Sequence, residues 1–287
     1  MQLFWIYFWV IIGIIVLVCL LRGFSEPYML CSNSCTITVN KLPESFDGVR
    51  IVHLSDMHAG SFGKDNSTLS EMVRQEHPDY IFATGDFISR SRGAYQDFLE
   101  FLDGCKGLCP VIFSFGNHES WIGKTSPRIL QEFLKELEQR GVIILNDGFV
   151  TLCKGDSSIA VFGLTPERGD KYQTVKMDKI KITEKLGKCP IGQSVLLLAH
   201  EPQFFSDYVH WGAQAVFSGH VHGGIVRLPF VGGILSSDHG LFPKYDGGIY
   251  HIDSSVMLVS RGLGCSHVRF RLFNKPEIMT VTLKRRQ

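Results

Sequence analysis

The chain has 287 residues, with 29 basic and 28 acidic side chains and a formal net charge of +1. A nucleic-acid-binding surface is expected to be strongly basic, so this balance argues against nucleic acid as a partner. Hydrophobic residues make up 45% of the chain, which is enough for a large core, and the length allows one large domain or two small ones.

The first predicted element is an apolar helix at the start of the chain. Residues 3–21 carry no charged side chain, and at ~1.5 Å per residue they span roughly 28 Å, close to the thickness of a bilayer core. Trp5, Tyr7 and Trp9 lie near its start, as in an interfacial aromatic belt. No Lys or Arg precedes the run and no A-x-A site follows it, so we predict a transmembrane anchor over residues 1–24 rather than a cleaved signal peptide or a buried helix.

The charge beside the anchor predicts its orientation. Arg22 follows the apolar run and no basic residue precedes it, which places the C-terminal side in the cytoplasm by the positive-inside rule. The eight cysteines contain no C-x-x-C pair, as expected of reduced cysteines in a cytosolic domain.

Residues 25–45 are predicted to form a connector and a lead-in strand, and residues 46–287 to form the main domain. Short apolar runs predict strands at 50–54, 80–83, 111–115, 142–145, 159–162, 195–199 and 215–217. Helical patterns are expected at 66–75, 95–102 and 127–140. Strands that alternate with helices indicate an α/β domain with mostly parallel strands.

The C-terminal part has a different pattern. After residue 222 the helical period disappears, and glycine-rich turns separate predicted strands at 225–228, 248–252, 256–259, 268–271 and 278–283. We therefore expect mixed or antiparallel sheet there. Between the two parts, the lysine-rich stretch 164–190 predicts a long surface excursion or lid.

Polar side chains follow five of the predicted strands, at the point where each strand ends. They are Asp56, His58, Asp86, Asn117, His118, His200, His220 and His222. In an α/β sheet the C-terminal strand ends form the rim where ligands bind, so we expect these eight side chains to meet in one cleft.

The residue types in this set predict a metal site. Carboxylate, imidazole and amide ligands suit divalent Mn²⁺, Fe²⁺ or Zn²⁺, and the absence of cysteine argues against structural zinc. Two such ions, roughly 3.5–4 Å apart, are the arrangement that hydrolyses phosphate esters. The sequence therefore predicts a dimetal hydrolase.

The same motifs resemble those of the calcineurin-like metallophosphoesterase superfamily, whose signature is D-x-H, G-D, G-N-H-[DE], H and G-H-x-H. The resemblance covers roughly residues 46–287 and implies a four-layer α/β/β/α sandwich that binds two divalent ions, with Mn²⁺ preferred over Fe²⁺ or Zn²⁺. It implies that Asp56, His58 and His222 bind the first ion and that Asp86 bridges the pair.

The resemblance also implies the remaining roles in the site. Asn117, His200 and His220 would bind the second ion. His118 would be the catalytic residue, which stabilises the transition state or protonates the leaving oxygen.

A narrower resemblance concerns the membrane-anchored bacterial branch of this superfamily. The N-terminal span and the segments 223–229, 245–250, 259–264 and 275–278 are similar to that branch, most of all to its UDP-2,3-diacylglucosamine pyrophosphatases. This implies cleavage of a lipid-linked nucleotide to 2,3-diacylglucosamine 1-phosphate (lipid X) and UMP, in lipid A biosynthesis at the inner membrane. No obligate protein partner is inferred.

Two alternatives remain open at this stage. The soluble enzymes of the same step often carry Arg where His118 stands, so a general metal-dependent phosphodiesterase of another substrate is the first alternative. The second is a non-catalytic interaction module, which should have lost metal ligands, whereas all eight motif positions are intact.

Five further residues are candidates for substrate contacts. Arg90 and Arg92 follow the second motif and could reach a phosphate, with a solvated loop as the alternative. Trp121, Lys124 and Arg128 follow the third motif, where apolar and basic side chains would suit an acylated phosphate or a membrane surface.

Overall fold

The computed structural model describes residues 1–58, 60–89, 94–236, 240–265 and 268–286. The helices are α1 Gln2–Ser25, α2 Ser67–Gln75, α3 Gln96–Gly104, α4 Asn117–Thr125, α5 Pro127–Gln139, α6 Lys179–Leu186 and α7 Phe205–Trp211. The strands are β1 Cys31–Val39, β2 Arg50–Leu54, β3 Tyr80–Thr84, β4 Val111–Ser114, β5 Ile143–Leu145, β6 Gly148–Lys154, β7 Ser157–Leu164, β8 Val195–Ala199, β9 Ala215–Ser218, β10 Val226–Leu228, β11 Gly232–Ser236, β12 Gly240–Leu241, β13 Gly248–Ile252, β14 Ser255–Val259 and β15 Glu277–Arg285.

Within the described ranges, the strands form two six-stranded sheets and one three-stranded sheet. The first sheet has the order β1-β15-β2-β3-β4-β5, and its strands β2 to β5 run parallel. The second has the order β13-β14-β9-β8-β7-β6, with β7, β8, β9 and β14 parallel. The antiparallel strands β10, β11 and β12 form the small third sheet.

The burial of alternate side chains shows how the layers stack. In β8, Leu196 and Leu198 pack between the two large sheets, whereas Val195 and Leu197 pack outward against α6 and α7. The outer face of the first sheet is covered in the same way by α2, α3 and α5. A strand buried on both faces is apolar at most of its positions, which explains the apolar runs in the sequence. The predicted α/β/β/α sandwich is confirmed.

The first and last strands of the domain pair with each other. β1 runs parallel to β15 in register from Cys31 opposite Glu277 to Val39 opposite Arg285. On its other side β15 pairs with β2 in the antiparallel direction. Strand β1, which follows α1, is therefore built into the first sheet.

Helix α1 extends away from the domain core, and its apolar side chains are exposed. In the described part of the chain it is the one helix long and apolar enough to cross a membrane. Its end contacts the domain through the segment 270–273. The Gly23 carbonyl accepts a hydrogen bond from the Arg271 N–H at 3.0 Å, and the rings of Phe24 and Phe270 lie 5.3 Å apart between centroids.

One predicted strand, at residues 268–271, is wrong. The backbone of Arg271 bonds to α1, and its buried guanidinium donates to the carbonyls of Arg261, Gly262 and Gly264. These hydrogen bonds hold the segment against α1 and a loop, so it does not join a sheet. Strand β6 and helices α4, α6 and α7 lacked a clear sequence period and were not predicted.

Candidate metal centre

The predicted polar side chains meet where strands of the two large sheets end. Three overlapping groups of ligand atoms lie there, and the atoms of each group are within 4.8 Å of one another. The groups are Asp56, His58 and His222; His58, Asp86 and His118; and Asp86, His200 and His220. Because β2, β3 and β4 are parallel in one sheet, and β8 and β9 in the other, their C-terminal ends bring these residues to one cleft.

Asp86 lies in the middle of the cluster and belongs to two of the groups. Its Oδ2 is 3.3 Å from His200 Nε2, 3.8 Å from His118 Nε2 and 4.0 Å from His58 Nε2. One carboxylate oxygen thus faces imidazoles from both sheets. Asp86 is the residue through which the two halves of the cluster are joined.

Asp56 organises the side of the cluster that lies next to β9. Its Oδ1 is 3.5 Å from His222 Nε2 and 3.7 Å from His200 Nε2. Both carboxylate oxygens accept the backbone N–H of His220 at 3.0 Å. The Nε2 atoms of His58 and His222 are 3.1 Å apart, so both imidazole nitrogens face the same small space.

The backbone turns sharply at these positions. Asp56, His58, Asp86, His220 and His222 all have φ between 48° and 72°, a left-handed conformation that is uncommon and strained for residues other than glycine. Each lies within a few residues of a strand end. The turns aim the side chains into the cleft instead of along the strand.

Two glycines allow the loops to approach one another. A Cβ added at Gly219 would clash with Ser55 Oγ and Asp56 Oδ2, and one at Gly116 would clash with Asp86 Oδ1. The G-H-x-H and G-N-H motifs therefore need glycine because a carboxylate occupies the space of the missing side chain.

Glu119 holds the loop of Asp86 in place. The buried carboxylate accepts four backbone N–H groups, at 2.8–3.1 Å, from Asp86, Phe87, Ile88 and Gly116. With both oxygens engaged by backbone groups, Glu119 is placed to orient the loop rather than to act as a base.

The side-chain oxygen of Asn117 indicates that the cluster suits a cation. Its Oδ1 is buried and has no hydrogen-bond partner in the described part of the chain, while its Nδ2 donates to the Tyr172 hydroxyl. Burying an unpartnered amide oxygen is unfavourable, and a metal ion would remove that penalty. Together with the carboxylates and imidazoles, this oxygen completes a donor set that fits borderline or hard divalent ions.

The charges in the cluster shift its pKa values. Burial lowers the pKa of His200, but the carboxylates of Asp86 and Asp56 outweigh it and raise the pKa to about 10. Burial, with the imidazoles of His118 and His222, holds the pKa of His58 well below its usual range. Burial would raise the pKa of Asp86, but His118 and His200 hold it well below its usual range. The carboxylate form of Asp86, which binds cations, is therefore favoured.

The candidate substrate residues divide between the site and the surface. On α4, the ring of Trp121 meets that of Tyr172 at 5.2 Å between centroids, and Lys124 donates to the Arg168 carbonyl. Both therefore contact the loop that lies beside the cluster.

The other candidates are not brought to the cluster. The side chain of Arg128 on α5 is 90% exposed and forms an ion pair with Glu132 of the same helix. Arg90 and Arg92 lie outside the described residues.

Three residues beside the cluster were not predicted from the sequence. The guanidinium of Arg168 is 1% exposed and lies 2.6 Å from Glu201 Oε1. The Arg168 guanidinium carbon also lies 5.3 Å from the centroid of the Tyr172 ring, and Glu201 Oε1 is 3.9 Å from His220 Nε2. The available signals were that Glu201 follows His200 and that Arg168 and Tyr172 belong to the excursion at 164–190. That excursion forms part of the wall of the site.

A model of the family described as calcineurin-like phosphoesterase matches residues 49–224. This is more than half of the chain, so the chain belongs to that family. Together with the cluster of carboxylates and imidazoles, membership makes it a dimetal phosphoesterase-type hydrolase.

Several curated relatives match most of the chain. The uncharacterized metallophosphoesterase YkuE of Bacillus subtilis is 27% identical over 268 residues, covering 90% of this chain and 87% of the relative. The UDP-2,3-diacylglucosamine pyrophosphatase LpxG of Chlamydia muridarum is 26% identical, covering 83% of this chain and 85% of the relative. The phosphodiesterase YaeI of Escherichia coli is 24% identical, with 82% of each chain covered.

Proposed function

We propose that this chain is a membrane-anchored dimetal pyrophosphatase that cleaves UDP-2,3-diacylglucosamine to lipid X and UMP in lipid A biosynthesis. The observation that carries the proposal is a buried cluster organised around Asp86 in a chain whose first helix is long and apolar enough to cross a bilayer. An anchored enzyme suits a substrate whose acyl chains stay in the membrane. Similarity to LpxG supports this substrate.

The residues of the cluster divide into two ligand sets that share Asp86. Asp56, His58 and His222 would hold one ion, and Asn117, His200 and His220 would hold the other. When bound, two Mn²⁺ ions, with Fe²⁺ or Zn²⁺ as alternatives, supply Lewis-acid polarisation of the phosphoryl oxygens. The deep burial of Asp86 and its backbone-bound loop fix the separation of the two sets.

His118 supplies the proton for the leaving group. Its Nδ1 lies 3.2 Å from the Ile88 carbonyl, which fixes the ring and directs Nε2 toward Asp86 Oδ2, 3.8 Å away. When protonated, Nε2 presents an N–H to the cleft and can donate it to the departing phosphate oxygen. The Tyr172 hydroxyl, which accepts from Asn117 Nδ2, keeps the amide oxygen turned toward the second ligand set.

In this proposal α1 crosses the inner membrane once and the catalytic domain lies in the cytoplasm. Arg22 at the end of the span supports this orientation. The partners of the protein are then the membrane and the lipid-linked nucleotide.

The test uses the full-length protein in detergent with Mn²⁺ and UDP-2,3-diacylglucosamine, and the measurement is release of UMP. We expect UMP release that a chelator abolishes and that is strongly reduced in His118→Ala. If the protein released no UMP but still cleaved bis(p-nitrophenyl) phosphate, the hydrolase would stand and this substrate would be discarded.

A phosphodiesterase with a different substrate is the second candidate function. The observation that favours it is the histidine at position 118, combined with similarity to YaeI, which is named as a phosphodiesterase. Fast turnover of small phosphodiesters without hydrolysis of the nucleotide lipid would select it. A non-catalytic module is disfavoured because the complete ligand set is retained.

A further inference from the structure

An uncovered apolar patch lies on the three-stranded sheet. We define the hairpin patch as the exposed side chains Leu228, Phe230, Val231, Leu241 and Phe242. Phe230, in the turn between β10 and β11, is fully exposed. Large apolar side chains grouped in this way on a protein surface mark a contact with a protein, a membrane or a ligand.

The hairpin patch is continuous with the end of α1. Phe230 and Val231 line a cavity of about 490 Å³ together with Phe273. The guanidinium of Arg22, in the last turn of α1, lies 4.4 Å from the centroid of the Phe273 ring. The neighbouring Leu272 forms a bridge with β10. One aromatic ring therefore links the anchor to the patch.

Phe242, at the other end of the hairpin patch, lies beside the G-H-x-H segment. Phe242 lines a second cavity, of about 270 Å³, with Val221, Pro202 and Tyr245. Val221 is the residue between the two histidines of the G-H-x-H motif. The patch thus has Phe230 and Val231 near the end of α1 and Phe242 near Val221.

We infer that the hairpin patch inserts into the surface of the lipid bilayer beside α1. This inference rests on the proposed role of α1 as a membrane anchor. If α1 crosses the membrane, Arg22 marks its interface, and the contacts through Phe273 hold the patch at that level. Lys244, which follows the patch and lies 4.9 Å from the centroid of the Tyr245 ring, supplies a cation that suits lipid phosphates.

A bilayer is favoured over a protein partner because the patch adjoins α1, which is itself long and apolar enough to cross a membrane. With Phe230 and Phe242 in the membrane surface, the cleft would open toward the bilayer rather than toward bulk water. A bilayer-resident substrate would then reach the cluster without leaving the membrane.

Tryptophan fluorescence can test the inference in the full chain. Trp5 and Trp9 are changed to phenylalanine, Phe230→Trp is introduced, and the protein is reconstituted in vesicles of phosphatidylethanolamine and phosphatidylglycerol. Brominated acyl chains should quench the added emission and shift it to the blue. Leu241→Trp in the same background is a second reporter, in case one substitution disturbs the fold.

The matched control is Phe149→Trp in the same background. Phe149 is 61% exposed but lies on β6, at an edge of the second large sheet. Brominated lipid should leave its emission unchanged, while aqueous acrylamide should quench it. The unaltered Trp121 and Trp211 contribute equally to all variants and are subtracted using the chain without an added tryptophan.

The outcomes separate the inference from the anchor on which it rests. The native chain, with Trp5 and Trp9, reports whether α1 is in the bilayer. Quenching of Trp5 and Trp9 without quenching at positions 230 and 241 would overturn the inference and leave the anchor. Failure of all these reporters to be quenched would overturn both. Shielding at position 230 from lipid and acrylamide alike would indicate a protein contact, such as a second copy, and would also overturn the inference.

Discussion

The metal centre and the hairpin patch place side chains in opposite ways. In the metal centre, charged residues such as Asp56, Asp86 and Glu119 are buried, and backbone N–H groups bind all three carboxylates. In the hairpin patch, Phe230 and Leu241 are exposed. Both placements are unfavourable for an isolated chain in water. In the two proposals above, a cation would offset the first and contact with lipid would offset the second.

The two regions should also respond differently to substitution. The groups of the metal centre are fixed by several partners each, so a single change there leaves a buried charge or donor unpaired. The exposed side chains of the hairpin patch have few interactions within the protein, so a substitution there removes little. The predictions below test this contrast, from the largest expected effect to the smallest.

The largest effect is expected for Asp86→Ala, because Asp86 serves both ligand sets. Bound metal should fall from two ions per chain, and turnover should drop by more than the ~10–100-fold typical of residues that only support a ligand. Elemental analysis and UMP release measure the two quantities. Asp156→Ala, in an exposed turn between β6 and β7, is the matched control. Two tightly bound ions in Asp86→Ala would remove its bridging role.

His118→Ala should separate chemistry from metal binding. The ions should stay bound, while the rate falls by about 10²–10⁴-fold, as is typical when a general acid is lost. Metal content and single-turnover rate are measured on the same sample. A rate close to that of the native protein would exclude His118 from the mechanism.

Arg168→Met should destabilise the fold by about 3–5 kcal/mol, because it leaves the buried carboxylate of Glu201 without its ion-pair partner. Urea unfolding in detergent measures the loss. The double variant Arg168→Met/Glu201→Gln removes the unpaired charge and should recover most of the stability. If the double variant were as unstable as the single one, packing of Arg168 rather than its charge would be responsible.

The buried side chain of His53 should make the free energy of unfolding depend on pH. Burial, with a smaller effect of the His200 charge, lowers its pKa from 6.5 to about 3, and its Nε2 lies 2.7 Å from the Thr84 hydroxyl. As the pH falls through 6.5, the unfolded chain binds a proton at His53 that the folded chain does not. The contribution of His53 to the free energy of unfolding is therefore fully present above pH 6.5 and is lost as the pH falls toward 3. The loss attributable to His53 is about 2 kcal/mol between pH 7 and pH 5.

His53→Gln should remove that part of the pH dependence while keeping a hydrogen-bonding group next to Thr84. The free energy of unfolding of both proteins is compared at pH 7 and pH 5 after metal chelation. Parallel pH profiles would show that His53 is not the group responsible.

The smallest effect is expected for Phe230→Ser in the hairpin patch. Because the side chain is fully exposed, the free energy of unfolding in detergent should change by less than ~0.5 kcal/mol. A loss as large as that of Arg168→Met would mean that Phe230 packs within the protein, and the contrast between the two regions would fail.

The parts of the molecule that were predictable are those encoded by neighbouring residues. Strands β2 and β8 match their predicted bounds because apolar runs buried on both faces end at polar or glycine residues. The meeting of ligands from one sheet was predictable because the C-terminal ends of parallel strands lie at the same edge. Asp86 follows β3 in the first large sheet and His220 follows β9 in the second, so the stacking of the two sheets is also needed to bring these two residues together.

The parts that were not predictable depend on contacts between distant segments. The ion pair of Arg168 and Glu201 joins residues 33 positions apart, and nothing near either one specifies the other. Phe230 is a large apolar residue of the kind found in protein cores, and only the fold shows that its side chain is exposed. Residues 268–271 have strand-like composition, but the partner of Arg271 is the carbonyl of Gly23.

The pairing of β1 with β15 has a consequence for biosynthesis. β15 lies between β1 and β2, so the first sheet stays open until the last strand has emerged from the ribosome. Helix α1 and strand β1 are by then already made, which means that β1 waits for β15. A polypeptide interrupted before Glu277 would leave β1 without this partner, and quality-control proteases could recognise the unfinished protein by that exposed edge.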